Sequence, residues 1–194
     1  MATLKNKDIL HGDQFTKKEI DAIMKTAAQM ERELKGKGSV NLLRGKILVT
    51  LFFEPSTRTR LSFEAAMQRL GGGVISMGSV EGSSVAKGET LRDTAQTVAQ
   101  YADVIVIRHP RIGSAKEVAD AVSIPVINAG DGAGQHPTQA LLDLYTIRKE
   151  LGTLKDLAIT LVGDLKNGRT VHALVEVLSH FGVHFYFVAP SLLR

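Results

Sequence analysis

Apolar residues along the chain change between two rhythms. Thr16-Lys17-Lys18-Glu19 has the capping-box pattern of a helix start, and Ile20, Ile23, Met24, Ala27 and Leu34 follow it at helical spacing. Gly36 and Gly38 are expected to stop that helix. The stretch 46–53 reads differently, because Ile47-Leu48-Val49-Thr50-Leu51-Phe52-Phe53 is short, apolar and β-rich, like a strand covered on both faces of a parallel sheet. Beyond it the two patterns alternate, with a helix at 58–70, a strand at 74–77, a helix at 90–102 and a strand at 104–108. A short helix at 114–122, a strand at 125–129 and a helix opening at Pro137 continue the series, proline being suited to a first helical turn. After Gly152 come a strand at 157–162, a helix at 169–181 and a strand at 184–188.

Parallel strands need crossover helices, so this repetition predicts an α/β fold. Residues 1–151 should form a three-layer parallel sheet, with the helix 137–151 as the connection to the second unit. Residues 152–194 should form the first βαβ unit of a second α/β domain. Two strands and one helix make a poor domain by themselves, and the second domain is therefore expected to be incomplete, cut short at Arg194.

Composition narrows the chemistry. The 194 residues are 44% hydrophobic, 23% charged and 5% aromatic, the profile of an ordinary globular protein. There is no cysteine, which removes disulfides, thiolate metal sites and thiol nucleophiles together. The start lacks an apolar leader and no apolar run approaches membrane-spanning length, so the expectation is a cytoplasmic protein with no membrane partner. A net charge of +4 leans toward anionic partners. Dispersed charge and few aromatic residues argue against nucleic acid.

In an open parallel sheet, ligands bind beyond the carboxyl ends of the strands. After the first predicted strand stands Glu54-Pro55-Ser56-Thr57-Arg58-Thr59-Arg60, where hydroxyls, guanidinium groups and the N–H groups of a helix start could hold a phosphate. The plainer reading makes Ser56 or Thr57 an N-cap and leaves the arginines in solvent. Arg108 and His109 follow the third strand, and a glycine-rich turn ending in His136 follows the fourth. At a helix start the positive dipole end favours a neutral imidazole over imidazolium. Lys87 lies on a loop of small residues and fits either a swing over a ligand or a solvated position. Gly163 to Thr170 nearly matches a P-loop, but Arg169 stands where the lysine is required, so nucleotide hydrolysis is rejected and a planar carboxylate is the better partner for Arg169. There is no GxGxxG fingerprint and no metal-ligand spacing, and His172, His180 and His184 read as structural or exposed.

Phe53-Glu54-Pro55-Ser56-Thr57-Arg58-Thr59-Arg60 followed by Ser62-Phe63-Glu64 resembles the carbamoyl phosphate signature of the transcarbamoylases, and His136-Pro137-Thr138-Gln139 resembles their second signature. The likeness runs over essentially the whole chain and leans to the aspartate branch of the family. It implies attack of the L-aspartate amine on carbamoyl phosphate, giving N-carbamoyl-L-aspartate and phosphate in pyrimidine biosynthesis, with no metal and no organic cofactor. By motif position it implies that Ser56, Thr57, Arg58 and Thr59 hold the phosphate. Thr59, Arg108 and His136 would act as catalytic groups around the carbonyl oxygen, and Gln139 would bind the carbamoyl nitrogen.

Ser83 and Lys87 match a mobile loop that reaches the neighbouring active site of a homotrimer, which makes Lys87 a catalytic residue that also meets carbamoyl phosphate and aspartate. Some family members carry two adjacent lysines there, whereas Ala86 precedes Lys87 in this chain. Arg169 matches a ligand for the aspartate carboxylate, and the family's other aspartate-binding residues fall outside this chain, so the fragment alone is expected to be inactive. Regulatory chains are left open as further partners. The ornithine branch shares the phosphate signature, but its cationic substrate would meet Lys87 and Arg169 with the wrong charge. A non-catalytic anion-binding homologue is the other alternative, disfavoured by the intact signature.

Overall fold

The computed structural model describes residues 4–77 and 84–193. Four parallel strands form the larger sheet: β1 (Ile47–Phe52), β2 (Gly73–Met77), β3 (Val104–His109) and β4 (Val126–Asp131), in the order β2-β1-β3-β4. The period of two along β1 sorts its side chains between two layers. Val49 and Leu51 join Ile105, Ile107 and Val126 on one face, covered by α3 (Leu91–Val98) and α4 (Ser114–Ala121) through Ala95, Ala115 and Val118. Leu48 and Phe52 join Val106 and Ala129 on the other, where α2 (Thr57–Arg69) packs through Met67. Thr50 is fully buried among them and shares hydrogen bonds with Glu64 of α2 and Ser76 of β2, so the polar side chain ties the two elements together.

Residues near the start cover the β4 edge. Ile9 bridges Ile127 in parallel, and the Asp8 carboxylate accepts the Val126 N–H at 2.8 Å. The third cluster of buried residues joins α1 (Lys17–Lys37), α5 (Pro137–Leu151) and α6 (Arg169–Leu178) through Ile20, Met24, Leu144, Val177 and Leu178. The second sheet, β5 (Ala158–Val162) beside β6 (His184–Val188), is parallel and two-stranded. Ile159 and Phe185 pack against that third cluster, while Val162, Tyr186, Phe187 and Val188 are exposed. No helix among the described residues is long and apolar enough to cross a membrane.

Element ends depart from the sequence pattern where longer-range contacts intervene. The Thr16 capping box forms as expected, but α1 runs through Gly36 and stops at Gly38, whose φ is 73°. One exposed glycine costs a helix only about 1 kcal/mol, too little to end it before the left-handed cap. The helix expected at 90–102 ends at Val98 and closes with tighter turns, Gln100 N–H to Thr97 O and Tyr101 N–H to Val98 O. The chain must turn there because Asp103 is hooked to β1, its N–H donating to Ile47 O and its carboxylate accepting the Ile47 N–H at 2.8 Å. The helix expected at 169–181 ends at Leu178, and a 3₁₀ turn, Ser179–Phe181, carries the chain to Gly182 at φ 69°.

Leu144 is fully buried between α1, α5 and α6, so Leu144→Ala should cost about 3 kcal/mol through lost transfer energy and a cavity. Leu151→Ala, on the same helix but exposed, should stay within about 0.5 kcal/mol of the parent. Urea unfolding of both variants checks the contrast, and equal losses would contradict the burial argument.

Candidate active site

The carboxyl ends of β1, β3 and β4 open on a cavity of about 860 Å³. Its wall includes Ser56, Thr57, Arg58 and Thr59 at the start of α2, Arg108 at the end of β3, His136 and Gln139 at the start of α5, and Arg169 at the start of α6. The expected phosphate and carbonyl groups of residues are thus brought together, with Phe63, Ala66 and Leu142 supplying apolar wall.

Ser56 is the N-cap of α2 in an extended conformation, but its side chain makes no capping hydrogen bond. No acidic residue lies in the first turn. The first N–H groups of a helix of 13 residues and the positive end of its dipole therefore face the cavity uncompensated, next to the Arg58 guanidinium. Such a helix start holds an anion without further machinery.

Across the cavity, Glu54 organises two arginines, a role that the sequence pattern does not reveal. Its Oε1 accepts from Arg108 Nη2 at 2.6 Å and from Arg169 Nη2 at 2.8 Å, and its Oε2 accepts from Arg169 Nη1 at 3.3 Å. These bonds, that from Arg169 first, hold the Glu54 carboxyl below its ordinary value. Arg169 Nη1 also donates to Gly132 O at 2.7 Å. Gly130, at φ 116°, leaves room for the guanidinium, since a Cβ there would stand 3.1 Å from Arg169 Cζ. The available signal was an acidic residue inside an otherwise basic strand-end segment, but its partner Arg169 lies 115 residues away.

The turn before α5 is fixed by Asp131, whose carboxylate accepts the Gly113 N–H at 2.9 Å and the Gln135 N–H at 2.7 Å. That turn delivers His136, which is only 5% exposed. Burial first, then the positive charges of Arg108 and Arg169, push its pKa down to about 4. The ring is neutral as expected at the helix start, but desolvation and the neighbouring guanidinium groups are the leading causes. His136 Nδ1 lies 3.4 Å from Thr138 Oγ1. His109 is turned toward α4 instead, with Nδ1 accepting the Arg111 N–H at 3.0 Å.

One residue expected at the site is not brought to it within this chain. Lys87 is exposed on a 3₁₀ turn, Ser84–Lys87, and does not line this cavity. Ser83 lies outside the described residues. His172 bonds to the Leu165 carbonyl at 2.8 Å, and His180 and His184 are exposed. Among the described residues no group of three or more His, Asp or Glu side chains could hold a metal ion.

Comparison with known proteins extends this picture. Residues 7–149 match the family described as aspartate/ornithine carbamoyltransferase, carbamoyl-P binding domain. The aspartate carbamoyltransferase catalytic subunit of Thermococcus kodakarensis is 57% identical over 190 residues, 98% of this chain and 61% of that protein. Its counterpart in Methanothrix thermoacetophila is 58% identical over 191 residues, 98% of this chain and 62% of that protein. Among solved structures, Trypanosoma cruzi aspartate transcarbamoylase in complex with carbamoyl aspartate and phosphate superposes with a TM-score of 0.95 at 47% identity, covering 99% of this chain and 63% of that one. The chain thus spans about three fifths of the length of these relatives. Through the matched domain and the fold that carries it, this chain belongs to the aspartate/ornithine carbamoyltransferase family.

Proposed function

We propose that the full-length protein transfers the carbamoyl group of carbamoyl phosphate to the amine of L-aspartate, giving N-carbamoyl-L-aspartate and phosphate for pyrimidine biosynthesis. The observation that carries this reading is the convergence of an uncapped helix start, Arg58, Arg108 and His136 on one cavity. The names of the relatives support aspartate as the acceptor. Residues 1–151 act as the carbamoyl phosphate-binding domain and 152–194 begin the aspartate-binding domain, a division supported by the family match over 7–149.

In this reading the phosphate rests on the N–H groups and hydroxyls of Ser56, Thr57 and Thr59 with Arg58 beside it, and Lys87 and Ser83 arrive from the neighbouring subunit of a homotrimer. When the amine nitrogen attacks the carbonyl carbon, negative charge builds on the carbonyl oxygen. Thr59, Arg108 and His136 donate to it there, and preorganised donors of this kind are worth ~3 kcal/mol each. The C–O bond to phosphate then breaks, the departing phosphate takes up the proton that the amine nitrogen loses, and the resulting dianion is held by the same helix start. A neutral His136 carries one ring N–H and adds no further charge beside two guanidinium groups. Arg169 has its Nη1–Nη2 end on Glu54 and its second Nη1 hydrogen on Gly132 O, which leaves the Nε–Nη2 edge for the aspartate carboxylate.

Product formation with aspartate but not ornithine in a competition assay tests the assignment, and a preference for ornithine would overturn it. Arg58→Ala removes a charge-assisted contact worth about 2 kcal/mol, so carbamoyl phosphate affinity should fall roughly thirtyfold by calorimetry. Unchanged affinity would remove Arg58 from the site. Trimers of Lys87→Gln alone should be inactive and those of Arg58→Ala alone strongly impaired at sub-saturating carbamoyl phosphate, whereas each mixed trimer should regain one wild-type site, about a third of its full complement, by closure of the ring. Mixtures without recovered activity would count against a shared site.

The depressed His136 pKa also predicts an acid-side loss of stability. The unfolded chain takes up a proton near 6.5 while the folded chain resists until about 4. Between those values the unfolded state binds more protons, so stability falls as the pH drops through the window, by about 3 kcal/mol in all. His136→Asn should lose that much less unfolding free energy than the parent between pH 7 and pH 4. The same loss in both proteins would refute a buried neutral ring.

A further inference from the structure

The proposed reaction leaves one carboxylate behind the cavity wall without a role. Asp143 stands one turn after Gln139 on α5, is half-buried, and accepts a hydrogen bond from Gln139 Nε2 at 2.9 Å. Gln139 itself lines the cavity. Because an ionised carboxylate can only accept, the nitrogen end of the amide must face Asp143, and the carbonyl end must face the other way. Gln139 Oε1 accepts no hydrogen bond from the described residues, and it is not among the side-chain atoms sealed from solvent without a partner. It is therefore an open acceptor at the cavity wall, held in one orientation by a neighbour that is not itself part of the wall.

We infer that Asp143 is a positioning residue that turns the Gln139 amide so that the cavity recognises a ligand N–H at that point and discriminates against a methyl group of the same size. Gln139 alone offers either end of its amide at similar cost, and a free amide would accept from one ligand and donate to another. With Asp143 in place only the acceptor is presented. A carbamoyl –NH₂ satisfies it, whereas the methyl of acetyl phosphate covers the carbonyl oxygen and leaves it without a donor. Burial raises the Asp143 pKa, and the bond from Gln139 opposes that rise by favouring the carboxylate. The pair stabilises its own orientation. This inference rests on the proposed binding of carbamoyl phosphate, and it assigns to Asp143 selectivity within that site and no share in holding the phosphate.

The experiment is calorimetric titration of the full-length protein with carbamoyl phosphate, acetyl phosphate and inorganic phosphate. The wild type should prefer carbamoyl over acetyl phosphate by roughly tenfold. Gln139→Leu and Asp143→Leu should each reduce that ratio to within about twofold, while the affinity for inorganic phosphate stays within about twofold of wild type. A loss of structure alone would weaken all three ligands together. Asp143→Asn keeps the shape but can donate as well as accept, so it too should lower the ratio, and it carries the test if the leucine variant does not fold. An unchanged ratio in Asp143→Asn or in a folded Asp143→Leu, with the ratio lost in Gln139→Leu, overturns the positioning role. An absence of any preference in the wild type overturns the discrimination itself. Failure of the wild type to bind carbamoyl phosphate at all is a different result and would sink the proposed function instead.

Discussion

Positive charge crowds one end of the larger sheet, and the Glu54 carboxylate is what lets it be gathered there. Arg108 and Arg169 reach the cavity from different elements, and without a shared counter-charge two guanidinium groups so close would repel each other and lose solvation. Glu54 accepts from both, at 2.6 and 2.8 Å, and so fixes the distance between the end of β3 and the start of α6. It neutralises one of the two charges while leaving donors on each side chain. The result is a wall rich in preorganised donors whose net charge is lower than its arginine count suggests.

The same concentration of charge explains the state of His136. A ring that is buried and close to two guanidinium groups finds no reason to hold a second proton, and its pKa falls accordingly. In the proposed reaction that neutrality has a chemical use, because a site that binds an anion through fixed charges needs a hydrogen-bond donor at the reacting carbonyl more than it needs another cation. Opposite the arginines, α2 presents a helix start with no side-chain cap and no acid in its first turn, which suits it to the proposed phosphate.

Buried packing and hydrogen bonds tie down the structure beneath the site. Alternation along β1 buries residues on both faces, and Thr50 spans to Glu64 and Ser76, which ties α2 to the strands. Asp131 locks the turn that ends in His136 through two backbone N–H groups. On the other side, α5 and α6 share buried residues with α1, so the element carrying Arg169 is packed against the one carrying Gln139. The exposed side of β5 and β6, with Val162 at 75% and Phe187 at 56%, departs from this closed packing.

Much of this was legible in the order of residues. Strand and helix patterns are set by neighbours a few positions apart, so the α/β alternation, the Thr16 capping box and the location of Ser56 to Thr59 where α2 opens after β1 could be read directly. That strand ends face one edge is a consequence of parallel connection, which also drew Arg108 and His136 into the same expectation. Element ends were less legible, because Asp103 stops the turn after α3 by bonding to Ile47, a residue 56 positions earlier. Least legible was the partnership of Glu54 with Arg169, since pairing between charges depends on which strand ends become neighbours and not on the pattern around either residue. His136 shows both sides: its place in the chain suggested a neutral ring, but the burial and the guanidinium groups that enforce neutrality exist only once the chain has folded around it.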